Sequence, residues 1–293
     1  MPIIQLANVC KSFGSFPVIA DLSLQVNAGE LVTLLGVNGA GKTTTINLML
    51  GLEKPDQGEI LLLGEKPQSL AVRQQIGVTP QNTGFPEGLK VAEIIAFVQA
   101  HYASPLDIAT IAQQFSLQDI LDRQTSTLSG GQKRRLAVAL AFVGNPRCVF
   151  LDEPTTGLDV ESRQKIWRAI HHYIAAGGTV FLTTHYLEEA EALSTRIIIL
   201  EKGCIKIEGT VAQIKAMAGL ARVRFMTDQV PIKLTHVEKI ENAGKWVTLH
   251  THNVDGLIRE LVQSGIEFRQ LQIVESSLES AFLNMTQETR EVA

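Results

Sequence analysis

The chain has 293 residues, 45 % hydrophobic and 19 % charged, which is enough apolar material for one large domain or one domain with a small appendage. A formal net charge of -4 excludes strong electrostatic attraction to nucleic acid. Cys10, Cys148 and Cys204 lie far apart without a CxxC pair, which excludes a disulfide framework or a zinc pattern, and Cys148 reads as a small buried hydrophobe.

The first residues lack a basic region followed by a long apolar stretch, so no secretion signal is expected. The longest apolar runs, such as residues 136–143 and 197–200, fall short of the ~18 residues a membrane span needs. A soluble, cytoplasmic protein is expected, and a role in transport would require another chain to supply the pore. Residues 3–34 read as short strands, with a turn at Asn27-Ala28-Gly29-Glu30. Leu31-Val32-Thr33-Leu34-Leu35 is a β-rich run ending at Gly36. A helix follows, with Ile46, Leu48, Met49 and Leu50 as its apolar face and Gly51 as its stop. Residues 90–145 are mostly helical in pattern. Apolar strands then come at 149–151 and 179–183, each followed by a helical segment. Strands alternating with helices predict an α/β fold with a parallel sheet covered on both faces. The character changes near 209–220. Beyond a linker at 212–220, strands are expected at 223–225, 246–249 and 266–271, with a helix at 254–263. A last amphipathic stretch carries Leu278, Ala281, Phe282 and Met285. Residues 1–212 and 220–293 therefore read as a main domain and a small α+β accessory domain.

Gly36-Val37-Asn38-Gly39-Ala40-Gly41-Lys42-Thr43 fits G-x-x-x-x-G-K-[ST] between a strand and a helix, where a phosphate-binding loop belongs. Glycines let the backbone wrap phosphate oxygens without Cβ clashes. The amides of Gly39 through Thr44 can then point inward at a helix N-terminus. Lys42 is expected to reach the β- and γ-phosphates, and the Thr43 hydroxyl to ligate Mg²⁺. Asp152 and Glu153 end the apolar run Val149-Phe150-Leu151, and Pro154 stops the strand there. An Asp at the end of a neighbouring parallel strand suits Mg²⁺. A Glu one residue further out suits polarising water as general base.

Leu128-Ser129-Gly130-Gly131-Gln132 resembles the signature of the ABC ATPase family, and the extended run to Asp159 looks like that family throughout. Phosphate loop, Gln81, signature, acids, Asp159 and His185 stand in the family's order over roughly residues 2–212. The resemblance implies a P-loop NTPase fold: a RecA-like core, an antiparallel β subdomain and a helical subdomain. It implies ATP and Mg²⁺ as ligands. Ser129-Gly130-Gly131 is a second anion-binding helix start, with Ser129 as cap. One chain cannot easily aim both helix starts at one γ-phosphate, and the family's head-to-tail dimer, homodimeric or with a like ATPase subunit, resolves this. Carried over one at a time, Gln81 contacts Mg²⁺ or the attacking water, and His185 touches the γ-phosphate. Asp159 links the two sites across the dimer and also suits capping the helix after it. Phe13, where Tyr is common, stacks on adenine, with Phe16 as its rival and a core position as the alternative for either. Lys133-Arg134-Arg135 is expected on a polar face near the dimer seam. His171 and His172, adjacent on a helix, face different directions and make a poor metal pair. His250 and His252 share a face of a strand but would need further ligands, so both pairs read as ordinary surface or packing residues.

Asn82 to Lys90 would border the groove in which a transmembrane permease subunit docks, which places the protein on the inner face of the cell membrane. His185-Tyr186-Leu187-Glu188-Glu189-Ala190-Glu191 and the tail Leu278-Glu279-Ser280-Ala281-Phe282-Leu283 look like stand-alone ATPase subunits of drug and polyketide exporters. Ser280 and Ala281 depart from the family's Leu-Glu-Asp-Val-Phe. The alternatives are a soluble ABC ATPase acting on ribosomes or DNA, which usually carries two cassettes or a coiled-coil insertion, and an importer ATPase.

Overall fold

Two long strands open the chain: β1 (Pro2–Phe13) and β2 (Phe16–Asn27), each of 12 residues. Short strands were expected here because turn-forming residues interrupt the run. The structure instead absorbs the interruptions as irregularities in one antiparallel pairing. Asn8 and Asp21 take left-handed backbone (φ 50° and 51°), and the Asn8 amide donates to Asp21 Oδ1 at 2.9 Å. The structure is a computed structural model that describes residues 2–81, 83–217, 220–228, 234–274 and 277–279. The chain divides into two compact units, Met1–Glu208 and Gly209–Ala293.

In the first unit the chain continues through β3 (Leu31–Leu35), α1 (Lys42–Met49), β4 (Gln57–Leu62), α2 (Leu70–Arg73) and β5 (Ile76–Thr79). Three helices follow, α3 (Val91–Gln99), α4 (Ile108–Phe115) and α5 (Gly130–Leu140). Strands and helices then alternate as β6 (Cys148–Asp152), α6 (Val160–Ala175), β7 (Thr179–Thr184), α7 (Leu187–Leu193), β8 (Arg196–Glu201) and β9 (Cys204–Gly209). β2, β1 and β4 form a three-stranded sheet in that order. The six-stranded sheet runs β5-β6-β7-β3-β8-β9 and is parallel from β5 through β8. The acids were expected on a strand neighbouring the phosphate-loop strand. β7 lies between β6 and β3 instead, so the end of β7 separates acids and loop.

Alternation along the strands feeds two cores. Val32, Leu34, Phe150 and Phe181 face one, shared with β1, β2, β4 and α1. Leu31, Val149, Leu151, Val180 and Leu182 face the other, shared with α3 to α6. Burial on both faces is why these strands read as continuous apolar runs. Gly77 of β5 lets the backbone at the end of α5 approach: a Cβ there would sit 1.7 Å from the Ala141 carbonyl oxygen.

The second unit holds α8 (Val211–Met217), β10 (Ala221–Met226), β11 (Lys239–Ala243), β12 (Trp246–Thr251), α9 (Val254–Gln263) and β13 (Arg269–Val274). The stretch read as a linker carries α8, begun by a reciprocal pair: Gln213 N–H donates to Thr210 Oγ1 at 3.2 Å, and Thr210 N–H to Gln213 Oε1 at 2.8 Å. The strands form an antiparallel sheet, β11-β12-β10-β13. β11 was not expected, and β13 is shifted three residues toward the C-terminus from the run read as a strand, overlapping it at 269–271. Val223, Phe225, Val247 and Leu249 pack with Leu257 and Leu261 of α9 in a core of their own. Asn82 and the tail residues Ser280, Ala281, Phe282, Leu283 and Met285 lie outside the described residues.

Candidate functional site

The loop between β3 and α1 is shaped by glycines that no other residue could replace without strain. Gly39 and Gly41 have φ +83° and +106°. A Cβ on Gly41 would meet Ile19 Cδ1 at 2.7 Å, and one on Gly36 would meet the Leu200 carbonyl oxygen at the same distance. Ala40 is buried, whereas Val37, Asn38, Gly39 and Thr43 are exposed and Thr44 partly so. The Lys42 ammonium is buried and donates to the carbonyls of Gly36 at 2.8 Å and Val37 at 3.3 Å.

Across from the loop, Asp152 ends β6 and Glu153 follows it, both buried. Glu153 takes left-handed backbone, φ +49°, a strained state for a side chain of this kind. Thr183 of β7 holds both acids: its hydroxyl donates to Asp152 Oδ1 and accepts from Glu153 N–H at 3.2 Å. The Glu153 carboxylate gathers the rest. Oε1 lies 3.6 Å from Lys42 Nζ and 3.2 Å from His185 Nδ1. Oε2 accepts from Gln81 Nε2 and from the Thr156 hydroxyl, each at 3.3 Å. Burial pushes this carboxyl up, but His185, Lys42 and Thr156 outweigh it and hold it below the ordinary glutamate value. A cleft of about 410 Å³, lined by Val18, residues of the loop, Gln81 and Glu153, opens between them.

Lys42, Gln81 and Glu153 thus line one cleft with Asn38, Gly39, Gly41, Thr43 and Thr44 of the loop, while His185 joins through Glu153 and Asp152 through Thr183. The donor set fits the expected ligands: a glycine cradle, a helix start and a buried lysine suit phosphates. The all-oxygen trio of Thr43, Asp152 and Gln81 suits a hard divalent cation.

The remaining expected residues stand elsewhere. Ser129 caps α5, accepting from Gln132 N–H at 3.2 Å while Gln132 Oε1 accepts from Ser129 N–H at 3.0 Å. Gly130 and Gly131 form the first turn behind that cap. Asp159 caps α6 through Ser162 N–H at 2.8 Å. Phe13 and Phe16 face each other across the β1–β2 turn and are 46 % and 74 % exposed, so neither is core. Lys11 Nζ stands 5.2 Å from the Phe13 ring centroid.

Thr183 is a site residue that the motifs do not mark, although a Thr at the end of an apolar strand just before a candidate His is well placed to touch acids on the next strand. Arg134 and Arg135 were assigned to a polar face, but Arg135 is only 8 % exposed and the Arg134 guanidinium turns onto backbone carbonyls beside the acids.

Among the described residues no helix is long and apolar enough to cross a membrane. The ABC transporter family model matches residues 19–156. Nod factor export ATP-binding protein I of Rhizobium sp. (strain N33) is 34 % identical over 295 residues, covering 97 % of this chain and 96 % of its own. The daunorubicin/doxorubicin resistance ATP-binding protein DrrA of Streptomyces peucetius is 33 % identical over 304 residues, covering 97 % and 92 %. A dimeric post-hydrolysis structure of an ATP-binding cassette with ADP and Pi superposes with TM-score 0.64 at 26 % identity, covering 71 % of this chain and 98 % of that one. With the phosphate loop, the paired acids and these similarities in agreement, the chain belongs to the ABC transporter family, as one of its ATP-binding ATPases.

Proposed function

We propose that this chain powers an exporter by hydrolysing ATP at the cleft between residues 36–44 and the end of β6. The observation that carries the reading is the convergence of Lys42, Gln81 and His185 on the Glu153 carboxylate. Glu153, held as a carboxylate, is the general base toward water. Lys42 stabilises charge on the phosphates, and His185 and Gln81 orient Glu153 and the γ-phosphate. Thr43, Asp152 and Gln81 would hold Mg²⁺, which when bound neutralises phosphate charge. Phe13 offers an exposed ring for the adenine.

Ser129, Gly130, Gly131 and Gln132 form a capped helix start that does not line the cleft. A second copy, or a like ATPase subunit, would bring this surface to the γ-phosphate, with Asp159 joining the two sites. Residues 1–212 are the ATPase domain in this reading, and 220–293 an accessory domain. A transmembrane permease subunit would dock along the stretch bounded by Asn82 and Lys90 and hold the chain at the cytoplasmic face of the membrane. The export direction is supported by relatives named for Nod factor export and for drug resistance. Drugs, lipids or polysaccharide-like molecules are the cargo this suggests.

The test is affinity capture of the tagged Glu153→Gln chain with ATP from gently solubilised membranes. Co-purification of a multi-span protein that exports cargo supports the reading. Capture with an import permease, or with ribosomes, replaces it with one of the alternatives while leaving the ATPase itself in place.

A further inference from the structure

Arg134 has five N–H donors, and all five meet backbone carbonyls of two segments far apart in sequence. Nη1 donates to the carbonyls of Pro80 at 2.9 Å and Gln81 at 2.8 Å. Nη2 donates to the carbonyls of Asp152 at 2.7 Å and Glu153 at 2.6 Å, and Nε to that of Pro154 at 2.9 Å. The planar fork of a guanidinium reaches both segments at once, which a lysine ammonium on its flexible stem cannot do.

A second observation shows what this grip opposes. Glu153 sits at φ +49°, a conformation that persists only where its surroundings over-determine it. Thr183 fixes the Glu153 peptide from the β7 side, through its carbonyl at 3.0 Å and its hydroxyl at 3.2 Å. Arg134 fixes the carbonyls of 152–154 from the α5 side. The same guanidinium fixes the peptide of Gln81, whose side chain reaches Glu153 Oε2 at 3.3 Å.

We propose that Arg134 is a positioning residue for ATP hydrolysis, clamping the Gln81 loop and the Glu153 turn in one register so that a shift of the loop shifts the base. This rests on the reading of Glu153 as general base. Because α5 begins at the signature residues Ser129 and Gly130, the clamp also ties the signature helix to the hydrolytic side of the same chain.

The test compares Arg134→Lys and Arg134→Ala with wild type and with Glu153→Gln. Arg134→Lys keeps the charge but loses the fork. Its kcat should fall about 10²-fold, the cost of misplacing a reacting group by an ångström. Its KM for ATP should stay within about twofold, because the phosphate loop is untouched. Guanidinium chloride at tens of millimolar should restore part of the kcat lost in Arg134→Ala by refilling the fork. If Arg134→Ala does not fold, the split between kcat and KM in Arg134→Lys decides. Wild-type kcat in Arg134→Lys alongside an inactive Glu153→Gln overturns the clamp alone. A fall in kcat matched by a rise in KM and a lower Tm also overturns it, leaving a structural staple. Turnover persisting in Glu153→Gln overturns the reading beneath it.

Discussion

His185 Nδ1 lies 3.2 Å from Glu153 Oε1 and joins the residue after β7 to the end of β6. Burial raises the Glu153 carboxyl, and His185 leads the groups that bring it below the ordinary value of 4.5. Glu153 is therefore a carboxylate throughout the neutral range. Glu153→Gln should cut kcat by about 10²- to 10⁴-fold at every pH from about 6 to 9, with ATP binding retained in equilibrium titration. The sign of the linkage gives a second readout. A depressed folded pKa contributes stability that is present above 4.5 and lost as pH falls through the folded value. Glu153→Gln should flatten that acid limb in denaturant melts.

Lys42 supplies charge inside the loop it belongs to, bonded to Gly36 and Val37. Hydrogen bonds from a charged donor contribute about 1.5–3 kcal/mol. Lys42→Ala should therefore raise the Kd for ATP roughly 10- to 100-fold and lower turnover with it. Unchanged affinity in a calorimetric titration would argue against contact between Lys42 and phosphate.

Glu189 of α7 is wholly buried, accepting from Thr155 Oγ1 at 2.8 Å and Trp167 Nε1 at 3.2 Å. Burial raises its pKa above 4.5, against the opposing pull of Thr184, Thr155, Trp167 and Arg163. The folded chain then holds this proton more tightly than the unfolded chain. Stability declines as pH rises from 4.5 to the folded pKa, and the cost is fully present above it. Glu189→Gln should remove that decline. A variant whose denaturation midpoint keeps the wild-type slope against pH would contradict a raised pKa.

Gly77→Ala tests the packing of α5 on β5. The new Cβ would stand 1.7 Å from the Ala141 carbonyl oxygen, so strand and helix must separate. A loss of about 3 kcal/mol or more is expected, visible as a lower Tm. A variant within about 0.5 kcal/mol of wild type would mean that the two elements do not touch there.

The residues around the cleft were legible because their chemistry demands fixed residue types at fixed places. Glycines mark the loop, a Lys and a Thr open its helix, and two acids stop an apolar strand before Pro154. β3, β6, β7 and α9 were legible for the same reason, since unbroken apolar or periodic runs have few alternatives. What escaped depends on partners distant in sequence. Nothing local tells which of Arg134 and Arg135 will find carbonyls 54 residues upstream. β11 has five exposed residues and exists only because β12 pairs with it. Strand order is likewise non-local, which is why the intervention of β7 was not foreseen. α8 is a different case. Thr210-Val211-Ala212-Gln213 carries a helix-start pattern in the sequence itself, at the place where the change of composition reads as a domain boundary.

Every residue of β3, β6 and β7 is buried, and all three strands are paired on both edges. Amides so buried and paired belong to the most protected class, so their exchange free energy should approach that of unfolding the first unit. The phosphate loop, the acids and His185 all hang from the ends of those three strands. The cleft is therefore mounted on strands that should exchange slowest among the described residues of the first unit. The helices and loops around this frame are where amides should exchange first and respond to ATP.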